Sequence, residues 1–303
     1  MTTTTQHAPP TKPRKVRRYS TTDRVVLTLM LGAPALVVLA FIWGPALGSV
    51  FLSFTRWNGV TPMEPVGFQN YHQAATIYPP FWPALQHNVI WLLVLGLVAT
   101  PLGLFLAVLL DKNIKGTRVY QSIFYMPVVL SLALVGFIWT LLYSQDQGLI
   151  NQLTGANVNW LGNSDINLWA VLVAASWRHV GYIMILYLAG LKGVDESIKE
   201  AAAIDGANQR QTFFRVVFPT LKPINVIVLV VTVIEGLRAF DIVYIINKGT
   251  NGLELLSVLI TNNIIGEASR IGFGSAIAVI LLVISLVFII TYLVQTFTKE
   301  GAK

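Results

Sequence analysis

Five ionisable residues stand where the sequence is otherwise apolar. Arg178 and His179 sit mid-way along the run 168–191, and Glu235 sits near the middle of 224–246, with Arg238 and Asp241 one and two turns further on. If these runs cross a bilayer, a charge at the midplane costs roughly 2.5 to 3.5 kcal/mol on insertion scales, so such groups are expected to face a neighbouring helix or a water-filled cavity. Ala175, Arg178, His179 and Tyr182 follow i, i+3, i+4, i+7 spacing, and so do Thr232, Glu235, Gly236 and Ala239, which puts each set on one helix face. Arg178 and Glu235 fall at similar expected depth. Arginine and glutamate make charge-assisted hydrogen bonds, and histidine donates or accepts. The charges of Arg178, Glu235, Arg238 and Asp241 sum to zero, so mutual pairing that fixes helix packing is the plainer alternative. Arg238 and Asp241 lie off the stripe and are assigned that packing role. A lone histidine in a span is more often hydrogen-bonded than reactive, and His7, His72 and His87 have no ligand-like spacing, so no metal site is expected.

The elements that carry these residues are long and apolar. Of 303 residues, 54% are hydrophobic and only 12% charged, with a mean hydropathy of +0.65. A soluble surface needs roughly a quarter of the residues charged, so lipid is the main solvent. Stretches near 20 residues with few charges occur at 25–51, 84–110, 119–143, 168–191, 224–246 and 271–295. These predict an all-α integral membrane protein with six transmembrane helices. Pro127 and Gly181, within the third and fourth, are expected as ordinary packing features of membrane helices. The chain contains no cysteine, which excludes disulfides, thiolate metal sites and cysteine nucleophiles.

The net charge of +7 is explained by where the basic residues fall. Lys12, Arg14, Lys15, Arg17, Arg18 and Arg24 precede the first run; Lys112, Lys115 and Arg118 lie in the next loop on that side; the segment 192–223 and the C-terminus add more. The opposite side has only Arg56, Lys248 and Arg270. The positive-inside rule therefore predicts a multi-pass protein with N- and C-termini and the 192–223 loop in the cytoplasm, and removes the support for nucleic-acid binding. Residues 1–24 read as a disordered basic cytoplasmic tail, 25–298 as the membrane domain, and 299–303 as a C-terminal cytoplasmic tail. The first apolar run is long enough to span, unlike the core of a cleavable signal peptide. Segments 53–83 and 144–167 on the other side are plausible docking surfaces, with Trp57, Trp82 and Trp160 expected in the aromatic belt at the headgroups.

The loop 192–223 has its own fold. Ser197-Ile198-Lys199-Glu200 reads as a capping box opening a helix that stops at Gly206. A second helix is expected from Asn208, burying Phe213, Phe214 and Val217 and ending at Pro219. The small side chains of Ala201, Ala202 and Ala203 suit close approach to a partner protein.

Glu200-Ala201-Ala202, three residues, Gly206, nine residues, then Val216-Val217-Phe218-Pro219 resembles the EAA loop of permease subunits in binding-protein-dependent ABC importers. The likeness continues through Ser53-Phe54-Thr55-Arg56-Trp57-Asn58-Gly59, Gly67-Phe68-Gln69-Asn70-Tyr71, Met126-Pro127-Val128-Val129-Leu130-Ser131, Gly148-Leu149-Ile150-Asn151, Ala189-Gly190-Leu191 and Phe240-Asp241-Ile242-Val243-Tyr244. These are similar to the sugar branch, which includes maltose and glycerol-phosphate permeases. Asn247-Lys248-Gly249-Thr250-Asn251-Gly252 stands where that branch often has Gly-Gly-Pro.

The resemblance implies a type I ABC importer permease fold in the inner membrane of a prokaryotic cell. It implies four partners besides the lipid bilayer: a second homologous permease, an ABC ATPase dimer, an extracytoplasmic solute-binding protein and a carbohydrate substrate. Glu200, Ala201, Ala202, Asp205, Gly206 and Pro219 are then the ATPase-coupling residues. Ala175, Arg178, His179, Tyr182, Thr232, Glu235, Gly236 and Ala239 match the positions that line the substrate pathway in that branch, where Tyr182 offers an aromatic edge to a sugar. With no Gly-Lys dipeptide the chain has no phosphate-cradling loop, so it is expected to bind no cofactor; ATP and Mg belong to the partner ATPase. The rival readings are a secondary transporter using the four charges for ion coupling, and a membrane scaffold that moves nothing.

Overall fold

The computed structural model describes residues 20–112, 114–266 and 269–298. The expected tails at 1–19 and 299–303 lie outside them. Among the described residues, sixteen α-helices, three π turns and one two-stranded ribbon follow in order. α1 (Thr21–Val38) continues through a π turn at Leu39–Trp43 into α2 (Gly44–Leu52), a 32-residue apolar helix. Ser20 opens it with a capping box, accepting from the Thr22 amide while Asp23 accepts from the Ser20 amide. No residue of α1 or α2 is buried.

From Ser49 onward the chain forms the second compact unit. β1 (Thr55–Arg56) and β2 (Glu64–Pro65) pair antiparallel, a small departure from the all-helical expectation. α3 (Gln69–Thr76) follows. α4 (Phe81–Val94), a π turn at Leu95–Ala99 and α5 (Thr100–Asp111) make the second long helix. α6 (Thr117–Val129), α7 (Leu132–Leu142) and α8 (Leu149–Thr154) lead to α9 (Asn167–Lys192). α10 (Glu196–Ile204), α11 (Gln209–Thr212), a π turn at Phe213–Val217 and α12 (Phe218–Thr220) form the loop domain. α13 (Lys222–Leu237), α14 (Asp241–Asn247), α15 (Leu256–Ile264) and α16 (Ile271–Thr298) complete the fold.

α9 is the inner helix. It packs against α4, α5, α6, α7, α13 and α14, and 56% of its apolar window is buried, against 6% for α16. Gly181 makes this possible on one side: a Cβ there would lie 2.1 Å from the Phe124 carbonyl oxygen, so α6 and α9 touch backbone to backbone. Gly181 is thus a contact glycine in an unbroken helix.

Four of the six expected spans are unbroken helices long enough to cross a bilayer, and the other two are interrupted. The third bends by 102° between α6 and α7. Leu130 is extended there, and Ser131 restarts the helix by accepting from the Leu134 amide at 3.2 Å. The fifth stops at Leu237; at about 1.5 Å per residue its 16 residues reach about 24 Å, less than a ~30 Å hydrocarbon core. It resumes as α14, which packs on α7.

Trp160 is half-buried: its Nε1 donates to Asn151 Oδ1 at 2.8 Å and its ring lies 5.7 Å from that of Tyr143. The segment after α14 turns through left-handed residues Lys248, Gly249, Asn251 and Gly252, and Asn167 Nδ2 donates to the Asn251 carbonyl at 3.1 Å. The segment is thus a turn built from Asn, Lys and Gly and tied to the start of α9.

Candidate functional site

The break between α13 and α14 opens a cavity of about 160 Å³. Its wall includes Ala175, Arg178 and His179 from α9, Glu235 from α13, Arg238, Ala239 and Phe240 from the break, and Asp241 from α14. Trp91 and Leu95 close it from the α4 side. Arg178 Nη1 lies 3.6 Å from Glu235 Oε2, which is the pairing expected from their common depth.

His179 is buried, with Nε2 3.2 Å from Thr100 Oγ1 and 3.3 Å from Thr232 Oγ1; the two hydroxyls are 3.2 Å apart. Thr232 Oγ1 also donates to the Val228 carbonyl at 2.7 Å. This satisfied triangle lies between the charged cavity and a larger apolar groove, about 620 Å³, that Thr100 and Thr232 line together with α16. Burying three polar groups is tolerable because each has a partner.

Five of the eight residues expected along the pathway line the cavity, and three do not. Gly236 faces α4, where a Cβ would lie 3.1 Å from Leu92 Cα; it is a packing position. Thr232 turns to His179 and the apolar groove. Tyr182 is half-buried against the cluster of Ile183, Met184 and Tyr187. The reason is geometric: one helix face is wider than one cavity, and the stripe passes from it into packed core.

Arg238 and Asp241, assigned to packing from the sequence, line the cavity instead. Both are exposed, and neither makes a side-chain hydrogen bond or ion pair among the described residues. Helical spacing fails for them because the helix ends at Leu237, so extrapolating its face past that point mislocates them.

Asn88 on α4 was invisible to the sequence reading. It is fully buried, and its Nδ2 donates to the carbonyls of Gly236 and Leu237 at 3.4 and 3.2 Å while Oδ1 accepts from the Leu256 amide at 2.9 Å. Ser257 Oγ donates to the Ala239 carbonyl. These two side chains satisfy the backbone groups that the break leaves without helical partners.

At the loop domain, Asp195 caps α10 by accepting from the Ser197 amide at 3.0 Å, in place of the expected Ser197–Glu200 box. The same hydrogen bond holds the Asp195 carboxyl below its ordinary range. Gly206 ends the helix in the left-handed region at φ +78°, its amide and that of Ala207 bonding back to Ala203 and Ala202. Ala202 alone of the EAA residues turns inward; Glu200, Ala201, Asp205, Gly206 and Pro219 are exposed, as is Ile204 at 86%. Asn208 caps the second helix with Gln211. Val217 is buried and Phe213 half-buried across the π turn at Phe213–Val217, but Phe214 is exposed, because it lies about 100° round the helix from Phe213. That turn also carries the helix past Pro219 to Thr220.

Fold and site together define a multi-pass helical membrane permease. The chain belongs to the family described as binding-protein-dependent transport system inner membrane component, which matches residues 99–299. It is 31% identical to the xylose/arabinose import permease protein XacH of Haloferax volcanii over 95% of this chain and 93% of that one. It is 32% identical to the trehalose/maltose transport system permease protein MalF of Thermococcus litoralis, over 85% and 88%. Among solved structures, a chain of a bacterial ABC transporter involved in the import of the acidic polysaccharide alginate superposes with a TM-score of 0.78 at 19% identity. The match covers 91% of this chain and 96% of that one, and the fold is shared. The sequence expectation of an ABC importer permease is thus met.

Proposed function

We propose that this chain forms one half of the translocation pathway of an importer that carries a carbohydrate into the cytoplasm of a prokaryote. The observation that carries the reading is the cavity at the break in the fifth span, where Arg178, Glu235, Arg238 and Asp241 present hydrogen-bonding charge beside Phe240 within an apolar helical body. Polyhydroxylated ligands need such a lining, since each hydroxyl both donates and accepts. The sugar-transport names of the relatives above support the same class.

A second, homologous permease supplies the facing wall, and a solute-binding protein delivers the sugar from outside the membrane. An ATPase dimer, holding ATP and Mg, docks on α10 of each permease. Its closure on ATP draws the two coupling helices together and turns the cavity outward; hydrolysis resets it inward. The exposed Glu200, Ala201, Ile204 and Asp205 supply this chain's docking face. Both termini and the 192–223 loop lie on the ATPase side, following the distribution of Lys and Arg.

The test is ATP hydrolysis by the reconstituted complex with its binding protein, screened with xylose, arabinose, maltose, trehalose and glycerol phosphate. One ligand class should stimulate hydrolysis, and Glu200→Ala or Gly206→Pro should abolish the stimulation in intact complexes. Stimulation by no carbohydrate, or stimulation indifferent to both substitutions, would overturn the reading.

A further inference from the structure

We infer that Arg238 and Asp241, rather than Arg178 and Glu235, make the polar contacts to the transported ligand, and that together they select a neutral sugar ring over an anionic one. The inference rests on the carbohydrate reading above. Four charges line the cavity, but they are not equivalent. Arg178 and Glu235 pair with each other at 3.6 Å, so each already has a counter-charge. They form a wall. Arg238 and Asp241 are exposed, line the same space, and have no hydrogen bond or ion pair among the described residues.

Their position in the chain explains this freedom. Arg238 follows the last residue of α13 and Asp241 is the first of α14, so the two flank a non-helical link whose backbone is held by Asn88 and Ser257. Fixed backbone with unengaged charged side chains is the arrangement a selective site needs, since little is reorganised on binding. Phe240 lies between them in sequence and also lines the cavity, its ring stacked on Tyr244 at 4.9 Å. That stack is a rigid apolar surface suited to the C–H face of a sugar, with a guanidinium and a carboxylate available to its hydroxyls. The cavity charges cancel. An anionic ligand that gains at Arg238 loses at Asp241, whereas a neutral polyol gains from donors and acceptors alike.

The test is direct binding to the purified complex of permeases and ATPase, held in its ATP-bound form by a non-hydrolysable ATP analogue, so that the binding protein does not filter the ligand. Radiolabelled maltose, arabinose and glucuronate are compared by equilibrium dialysis. The wild type should hold a neutral sugar in preference to glucuronate. Arg238→Gln should weaken that neutral sugar about tenfold, and Asp241→Asn should move the neutral-to-glucuronate ratio about tenfold towards glucuronate, the loss or gain of one charge-assisted hydrogen bond. Arg238→Lys and Asp241→Glu should keep the wild-type order. A ratio unchanged in both neutralised variants, a wild type preferring glucuronate, or a wild type stimulated by sugar yet holding none would each overturn the inference. Failure of both neutralised variants to assemble would do so too, since it would return the pair to a packing role. Absence of any sugar-stimulated hydrolysis in the wild type would instead remove the carbohydrate reading on which it stands.

Discussion

The side-chain amide of Asn88 donates to the carbonyl oxygen of Leu237 at 3.2 Å, and through that bond a residue of the second long helix decides where the fifth ends. The same side chain accepts from Leu256, so α4, α13 and α15 meet at one buried group. Replacing Asn88 by Leu orphans a buried amide and two carbonyls, at about 1–3 kcal/mol each. Thermal unfolding of the detergent-solubilised complex should register a loss of that order. Asn88→Asp keeps the acceptor for Leu256 and loses the donors, so it should fall between Leu and wild type. An unchanged melting temperature in Asn88→Leu would show that the break does not depend on this clamp.

The Arg178–Glu235 pair is partly open, with 23% and 40% of the two side chains exposed, and solvent screens it accordingly. A double-mutant cycle with Arg178→Gln and Glu235→Gln should return a coupling of about 1 kcal/mol in denaturant unfolding. The double variant should be more stable than the two single losses added together. Zero coupling would mean that the two charges stand beside each other without interacting.

Gly181 and Gly32 make an informative contrast. Adding a Cβ at Gly181 brings it against the Phe124 carbonyl, and the helices must part at a cost of about 1–3 kcal/mol. At Gly32 nothing lies within 4 Å, so Gly32→Ala should leave stability unchanged or raise it through helix propensity. Unfolding of the two alanine variants side by side checks both; equal effects would refute the close approach of α6 and α9.

The Asp195 cap makes α10 sensitive to acid. Its carboxyl titrates below its ordinary range because the Ser197 amide favours the charged form. The cap therefore contributes fully above that ordinary range, and the contribution is lost as pH falls through the lowered value. ATP-dependent association of permease with ATPase should weaken in that acid window, and Asp195→Asn should flatten the dependence without changing association near pH 7. A variant that follows wild type throughout the titration would remove Asp195 from the coupling helix.

The unbroken spans and the limits of the loop helices were legible because composition, periodicity and helix-stop residues agree there, although Asp195 rather than Ser197 caps α10. α9 was expected at 168–191 and runs Asn167–Lys192; the stop at Gly206 and the restart at Asn208 fall where those residue types stand. The break after Leu237 was not legible, because neither glycine nor proline marks Arg238, Ala239 or Phe240. The carbonyls around it are taken up by side chains far away in sequence, at 88 and 257. The same distance hid Asn88, which carries no spacing that one strip of sequence displays. Phe214 was misplaced because neighbouring helical residues lie about 100° apart, so Phe213 and Val217 share the inner face and Phe214 does not.

The interrupted fifth span separates two jobs that a continuous helix would merge. Residues inside α13 close the helical ladder and pack on α4 and α16, so altering them disturbs the framework. At positions 238 and 241 the side chains project from the margins of a short link, exposed and without a hydrogen bond or ion pair among the described residues. Exchanging them changes the chemistry of the cavity while the scaffold stays as it is. On the proposed reading, a new cargo is reached by substitution at a few places along one short link, with the helices around it left as they are.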